Sequence, residues 1–205
     1  SLVGRTPVAR VVGTGGCGAV DQQERVVLHR RALADDHLLG GALGAYVLSP
    51  VGEHKVSLTL PNGKIEVFDL VITPSVSPLV PLQTVTASYV ARPGTLGTLT
   101  PLADNDLLVI GPQPGRVDLV TFGVDTYHPR LFRYRSLEGQ LVDIDRTLGV
   151  QRIEDPNGNV LTFDPNGITH STGKSITFTR DAQDRITQIV DPIGNAQTFV
   201  RDSLV

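Results

Sequence analysis

The sequence predicts an all-β chain of antiparallel sheets that ends in short β-hairpin repeats. Three observations carry this. Turn residues recur throughout, with 21 Gly and 14 Pro in 205 residues, which leaves little room for long helices. Strand-period alternation appears wherever the chain is not turning. From about Leu131 onward the sequence repeats itself.

The alternation is clearest at 55–68. Val56, Leu58 and Leu60 interleave with Lys55, Ser57 and Thr59, Pro61-Asn62-Gly63 turns the chain, and Ile65, Val67 and Phe68 follow. That pattern is a hairpin with one face to a core. Further strands are expected at 71–73, 84–91, 106–110, 116–122 and 131–135. The proline-spaced stretch 74–81 reads as a surface connection, because proline cannot donate to a central ladder. Only residues 19–39 offer a helical alternative, and there Val26-Val27-Leu28 and Leu38-Leu39 hold no clear 3.6 period, so a strand stays open as well.

The repeat has a definite form. Ile153-Glu-Asp-Pro-Asn-Gly-Asn-Val-Leu-Thr-Phe163 recurs 36 residues later as Ile189-Val-Asp-Pro-Ile-Gly-Asn-Ala-Gln-Thr-Phe199, identical at seven of eleven positions. A shorter core, Gly followed four and five residues on by Thr-Phe, starts at Gly158, Gly173 and Gly194, with a weaker copy at Gly139. The spacings of 19, 15 and 21 residues each fit two short strands and two turns. In Asp-Pro-x-Gly-Asn, proline fixes φ at the first corner, glycine accepts a positive φ at the exit, and the aspartate bonds the backbone two residues on. The strand that follows puts Leu161 and Phe163, or Ile176 and Phe178, on one face and threonine on the other. Phe163, Phe178 and Phe199 are therefore expected on one sheet face and buried. One such hairpin cannot bury its face alone, so the units are expected to stack side by side.

These residues resemble a known family. The stretch from Lys174 through Phe178, Asp181, Arg185-Ile-Thr187 and Asp191-Pro-Ile-Gly-Asn195 is similar to a YD repeat of the Rhs type. Phe178 with Asp181, and Phe199 with Asp202, stand for that pattern's aromatic-x-x-Asp; Phe replaces the eponymous Tyr, and Asp184 replaces the usual turn glycine. The resemblance implies a long β-ribbon of the kind found in bacterial polymorphic toxins and in teneurins, and a secreted or cell-surface location on a bacterium. It divides the chain into a glycine-rich N-terminal segment at 1–40, an antiparallel β region at 41–130 and YD/Rhs-type hairpins at 131–205. The implied role is a non-enzymatic structural or interaction module whose partners are adjacent repeats, and a cell-surface protein or glycan.

Composition narrows the alternatives. A net charge of -3 with no basic stripe gives no footprint for nucleic acid. The apolar run at 45–48 is far too short to cross a bilayer, so no membrane insertion is expected. With no Met and no leader, the chain reads as a segment of something longer, whose strand at 196–200 would form an open edge that frays or self-associates. Cys17 cannot form an internal disulfide and reads as a small residue in a glycine loop.

No catalytic, cofactor or metal constellation is expected. Gly13-Thr-Gly-Gly-Cys-Gly18 is a literal G-x-G-x-x-G, but no β–α alternation follows, which makes a nucleotide-binding enzyme the remotest reading. Asp155-x-Asn157-x-Asn159 opens like a calcium loop, yet its glycine falls at the fourth place instead of the sixth, and a turn explains it better. Asp191-Pro-Ile-Gly194 resembles the self-cleavage core of some Rhs proteins but occupies an ordinary repeat turn. His29, His37, His54, His128 and His170 lie apart, Ser171 and Ser175 have no identifiable base, and Asp35-Asp36 read as solvated. A carbohydrate- or ligand-binding β domain is the nearer alternative, weakened by only four Tyr, six Phe and no Trp.

Overall fold

The computed structural model describes residues 10–13, 25–32, 44–50, 54–60, 62–78, 80–112 and 115–199. Among these residues there is no helix, and every paired strand is antiparallel. In chain order the strands are β1 (Arg10–Gly13), β2 (Arg25–Ala32), β3 (Gly44–Pro50), β4 (Lys55–Thr59), β5 (Ile65–Thr73) and β6 (Val76–Pro78). Then come β7 (Thr84–Ala91), β8 (Thr98–Pro101), β9 (Asp106–Ile110), β10 (Gly115–Thr121), β11 (Leu131–Arg135) and β12 (Leu141–Asp145). The last six are β13 (Gly149–Glu154), β14 (Val160–Asp164), β15 (Gly167–His170), β16 (Ser175–Arg180), β17 (Ile186–Val190) and β18 (Ala196–Thr198).

The expected strands at 84–91, 106–110 and 131–135 are β7, β9 and β11, and the expected 71–73 is the end of the longer β5. The open choice within 19–39 resolves to strand at β2, which pairs with β10 and β3; the rest of that stretch lies outside the described residues. The connection at 74–81 is corrected in one respect. Its middle is a short strand, β6, that pairs with β3. Proline is tolerated there because Pro78 ends a three-residue strand with one ladder partner among the described residues.

β7 is the branch point. Its far side pairs with β5, while its near side pairs with β9 at Thr84 to Thr86 and with β8 at Tyr89. One arm runs β9, β10, β2, β3, β6 and the other runs β8, β11, β12 and on to β18. β5 continues to β4 and β1, and β1 returns close to β12 and β13, so the sheet rolls around its first core. That core is Val56, Leu58, Phe68, Tyr89, Leu99, Phe132, Tyr134, Val142, Ile144 and Val150. Tyr89 meets Phe132 edge to face at 5.2 Å, and Phe68 meets Tyr134 at 6.4 Å. Such contacts add to the burial of the rings themselves. A second core gathers Leu48, Leu82, Val85, Ala87, Leu107, Val109, Val117, Leu119 and Tyr127 on the other arm.

From β11 to β18 each strand pairs with the next in sequence. The register aligns Phe163 with Ile168, Ile168 with Ile176, Phe178 with Ile189, and Ile189 with Gln197. Directly paired residues share a face, as do residues two apart. Phe163, Phe178 and Phe199 therefore lie on one face, and Thr162, Thr169, Thr177, Thr179 and Thr198 lie on the other. The expectation of burial is corrected. Phe163 packs on the first core, Phe178 is half-buried, and Phe199 is 46% exposed. Beyond Phe163, the residues of this face at Ile176, Phe178, Ile189 and Phe199 belong to neither core.

One turn design joins most of these hairpins. At 60–64, 121–125, 136–140, 155–159, 170–174, 181–185 and 191–195, the first residue's N–H donates to the fifth carbonyl at 2.8–2.9 Å. The fourth N–H donates to the first carbonyl at 2.8–3.1 Å. This is a type I turn closed by a bulge, and it requires positive φ at the fourth residue. Glycine fills that place in five turns, at φ of 81–93°. The others hold Asp184 at 61° and Val124 at 68°. Aspartate tolerates this region and valine does not, since its branched Cβ crowds the backbone. Val124→Gly is therefore expected to stabilise the chain by about 1 kcal/mol, read from the urea midpoint at unchanged m-value.

Candidate functional site

Three sets of polar groups among the described residues bear on a site: the turn aspartates, a buried glutamate, and an acidic strand beside a cleft. Asp155 caps its turn with both oxygens. Oδ1 accepts the N–H groups of Asn157 at 2.8 Å and Asn159 at 2.9 Å, and Oδ2 accepts the Asn159 amide at 2.7 Å. Asp191 repeats this with Ile193 at 2.9 Å and Asn195 at 2.9 and 2.8 Å. Asp181 repeats it with Gln183 and Arg185, whose guanidinium replaces the asparagine amide at 2.6 Å. The Asn159 amide, the Arg185 backbone N–H and the Asn195 amide are the foremost causes that hold these three carboxyls below their ordinary range. The resemblance of Asp155 to a calcium loop thus gives way to a turn whose carboxylate oxygens are both occupied by turn donors.

Glu66 was not legible as a site. Ile65 and Val67 were read with Phe68 as the apolar residues of this strand, but the core face of β5 is Glu66 and Phe68, and Ile65 is 60% exposed. Strand alternation does set Glu66 on the face of Phe68, which was the available signal. Its carboxylate accepts from Gly97 N at 3.1 Å, Leu96 N at 3.4 Å and Lys64 Nζ at 3.0 Å, and from the Tyr134 hydroxyl. Burial alone would raise its pKa; the donors outweigh burial and leave it lowered, foremost Lys64 and Tyr134. Tyr134 is pushed well above its ordinary value by burial and by donating to Glu66. The carboxylate and the hydroxyl satisfy one another. They tie β5, β8 and β11 together.

On β12, Val142 and Ile144 face the first core while Asp143 and Asp145 are buried on the opposite face. Asp143 takes a two-point contact from Arg133 at 2.6 and 2.8 Å. Asp145 accepts Thr147 N at 2.7 Å, Leu148 N at 2.9 Å and Arg130 Nε at 2.6 Å. Burial would raise the Asp145 pKa, but Leu148 N and Thr147 N, with Arg130, lower it overall. Because Glu66 and Asp145 have folded pKa values below their unfolded ones, the unfolded chain binds more protons in acid. Their stabilisation is present above the carboxylate range and is lost as pH falls through the folded values. Urea midpoints from pH 7 to pH 2 are expected to fall below about pH 4.

The other residues singled out in the sequence do not come together. Gly13 ends β1, whereas 14–18 with Cys17, and His37 and Asp35-Asp36, lie outside the described residues. His29 is in β2. The His54 carbonyl accepts from Leu70 N at 2.9 Å, and His128 Nε2 meets Arg146 Nη1 at 3.4 Å. His170 Nδ1 meets the Thr172 hydroxyl at 2.8 Å. Ser171 Oγ accepts Val160 N at 3.2 Å, and Ser175 lies on the threonine face of β16. Comparison with protein-family models, with curated proteins and with solved structures finds no match to this chain.

Proposed function

We propose that the chain is a non-enzymatic structural or interaction module of a large secreted or cell-surface YD-repeat protein. One observation carries this reading: the same aspartate-capped, bulge-closed turn recurs at 155–159, 181–185 and 191–195, between strands that pair in sequence order. A turn reproduced down to its side-chain bonds is what duplication of a hairpin unit leaves behind. The buried carboxylates support the same reading, since Glu66, Asp143 and Asp145 are each held by several donors and serve the fold. Adjacent repeats of the parent protein are the first partners, through the strand ladder and the apolar face.

The experiment is surface localisation in the source organism. Antibody raised to this chain should detect it in the medium or on intact cells, and external protease should remove the cell-bound signal. Detection only inside cells, resistant to external protease, would overturn the proposal.

A further inference from the structure

A cleft of about 820 Å³ lies between the connection after β8, the turn after β10 and the acidic face of β12. Its volume is within the range of ligand sites. Its charges are unevenly matched. Arg130 pairs with Asp145, Arg133 with Asp143 and Arg152 with Glu154. Asp104 and Asp125, both exposed and both on the cleft, have no ion pair among the described residues. The cleft therefore presents two unmatched negative charges.

The surroundings are apolar. Leu102 and Leu131 line the cleft and are 42% and 40% exposed. Phe122 and Val124, in the turn that contributes Thr121 and Asp125, are 58% and 71% exposed. Single exposed apolar residues are ordinary, but here two line a charged cleft and two more stand in the turn that supplies part of its lining. The turn is also the one that holds valine in the left-handed region, so an apolar side chain occupies a place suited to glycine.

We propose that this cleft is a docking site for a polypeptide segment that carries lysine or arginine flanked by apolar side chains. The cationic groups meet Asp104 and Asp125, and the flanking side chains cover Leu102, Phe122, Val124 and Leu131. The site goes beyond the module role proposed above, because it requires no further repeats and no particular cellular location.

The test is fluorescence anisotropy on the full chain with a labelled Leu-Lys-Val-Arg-Leu peptide, and Leu-Glu-Val-Glu-Leu as its acidic counterpart. Saturable binding of the basic peptide is expected, weakening as salt rises, with none for the acidic one. Asp104→Asn combined with Asp125→Asn should weaken it about tenfold. Phe122→Ser should also weaken it about tenfold. All three positions are solvent-facing, so unchanged melting of each variant certifies the fold. No saturable binding, equal binding of both peptides, or full affinity in the double variant would overturn the proposal. None of these results bears on where the protein resides, so the two proposals fail separately.

Discussion

Replacing Glu66 with alanine is expected to lower stability by about 3–5 kcal/mol, enough to unfold much of a marginally stable domain. The residue is 1% exposed, and its side chain supplies the acceptor for two backbone N–H groups, a tyrosine hydroxyl and an ammonium group. Removing it leaves the Gly97 N–H and the Tyr134 hydroxyl buried without that acceptor, and each such loss carries a desolvation penalty of about 1–3 kcal/mol. Lys64 suffers less, because its side chain is 36% exposed and can turn to water. Urea unfolding of Glu66→Ala checks the magnitude. A Glu66→Ala, Tyr134→Phe double variant should lose less than the sum of the two single losses, since the pair shares one bond. A cost below about 1 kcal/mol would show that the carboxylate does not join these strands.

Gly97→Ala is expected to be about as severe. A Cβ built there falls well inside contact distance of the Tyr134 ring and meets its hydroxyl oxygen at 2.6 Å. The ring has nowhere to move, since it is packed against Phe68 and its hydroxyl is bonded to Glu66. Overpacking of this kind costs about 1–3 kcal/mol, and more where the neighbour is fixed. Gly94→Ala is the control, because open space surrounds its Cβ and only its φ of +89° penalises the change. Its cost should stay near 1 kcal/mol. Equal effects at the two glycines would mean that backbone conformation, and not the tyrosine contact, decides Gly97.

What could be read in advance follows the range of the interactions involved. The turns were legible because their chemistry closes within five residues: Asp155, Pro156, Gly158 and Asn159 satisfy one another wherever the hairpin sits. β7 was legible because Val85, Ala87 and Tyr89 alternate with exposed neighbours. Glu66 was obscured because its partners other than Lys64 lie 30 residues or more away, at Leu96, Gly97 and Tyr134; alternation with Phe68 marks its face but not that a carboxylate will be satisfied there. Asp143 and Asp145 were obscured likewise, since strand β12 is buried on both faces and shows no apolar–polar alternation of burial. Phe199 went the other way. Its face was legible from spacing, but its exposure depends on whether another layer covers it, which spacing does not encode.

We expect β16 and β17 with their turns to form a unit that can be repeated. This is tested most directly by inserting a second copy of residues 175–195 after Asn195. Gly173-Lys174 precedes Ser175 as Gly194-Asn195 precedes Ala196, so the 21 added residues would enter in register as two more strands. The measurement is urea unfolding of the extended and original chains. A repeated unit adds its own stability and a nearest-neighbour interface, so a single transition with a larger m-value and a higher midpoint is expected. An unchanged transition with an insert that protease removes would contradict it.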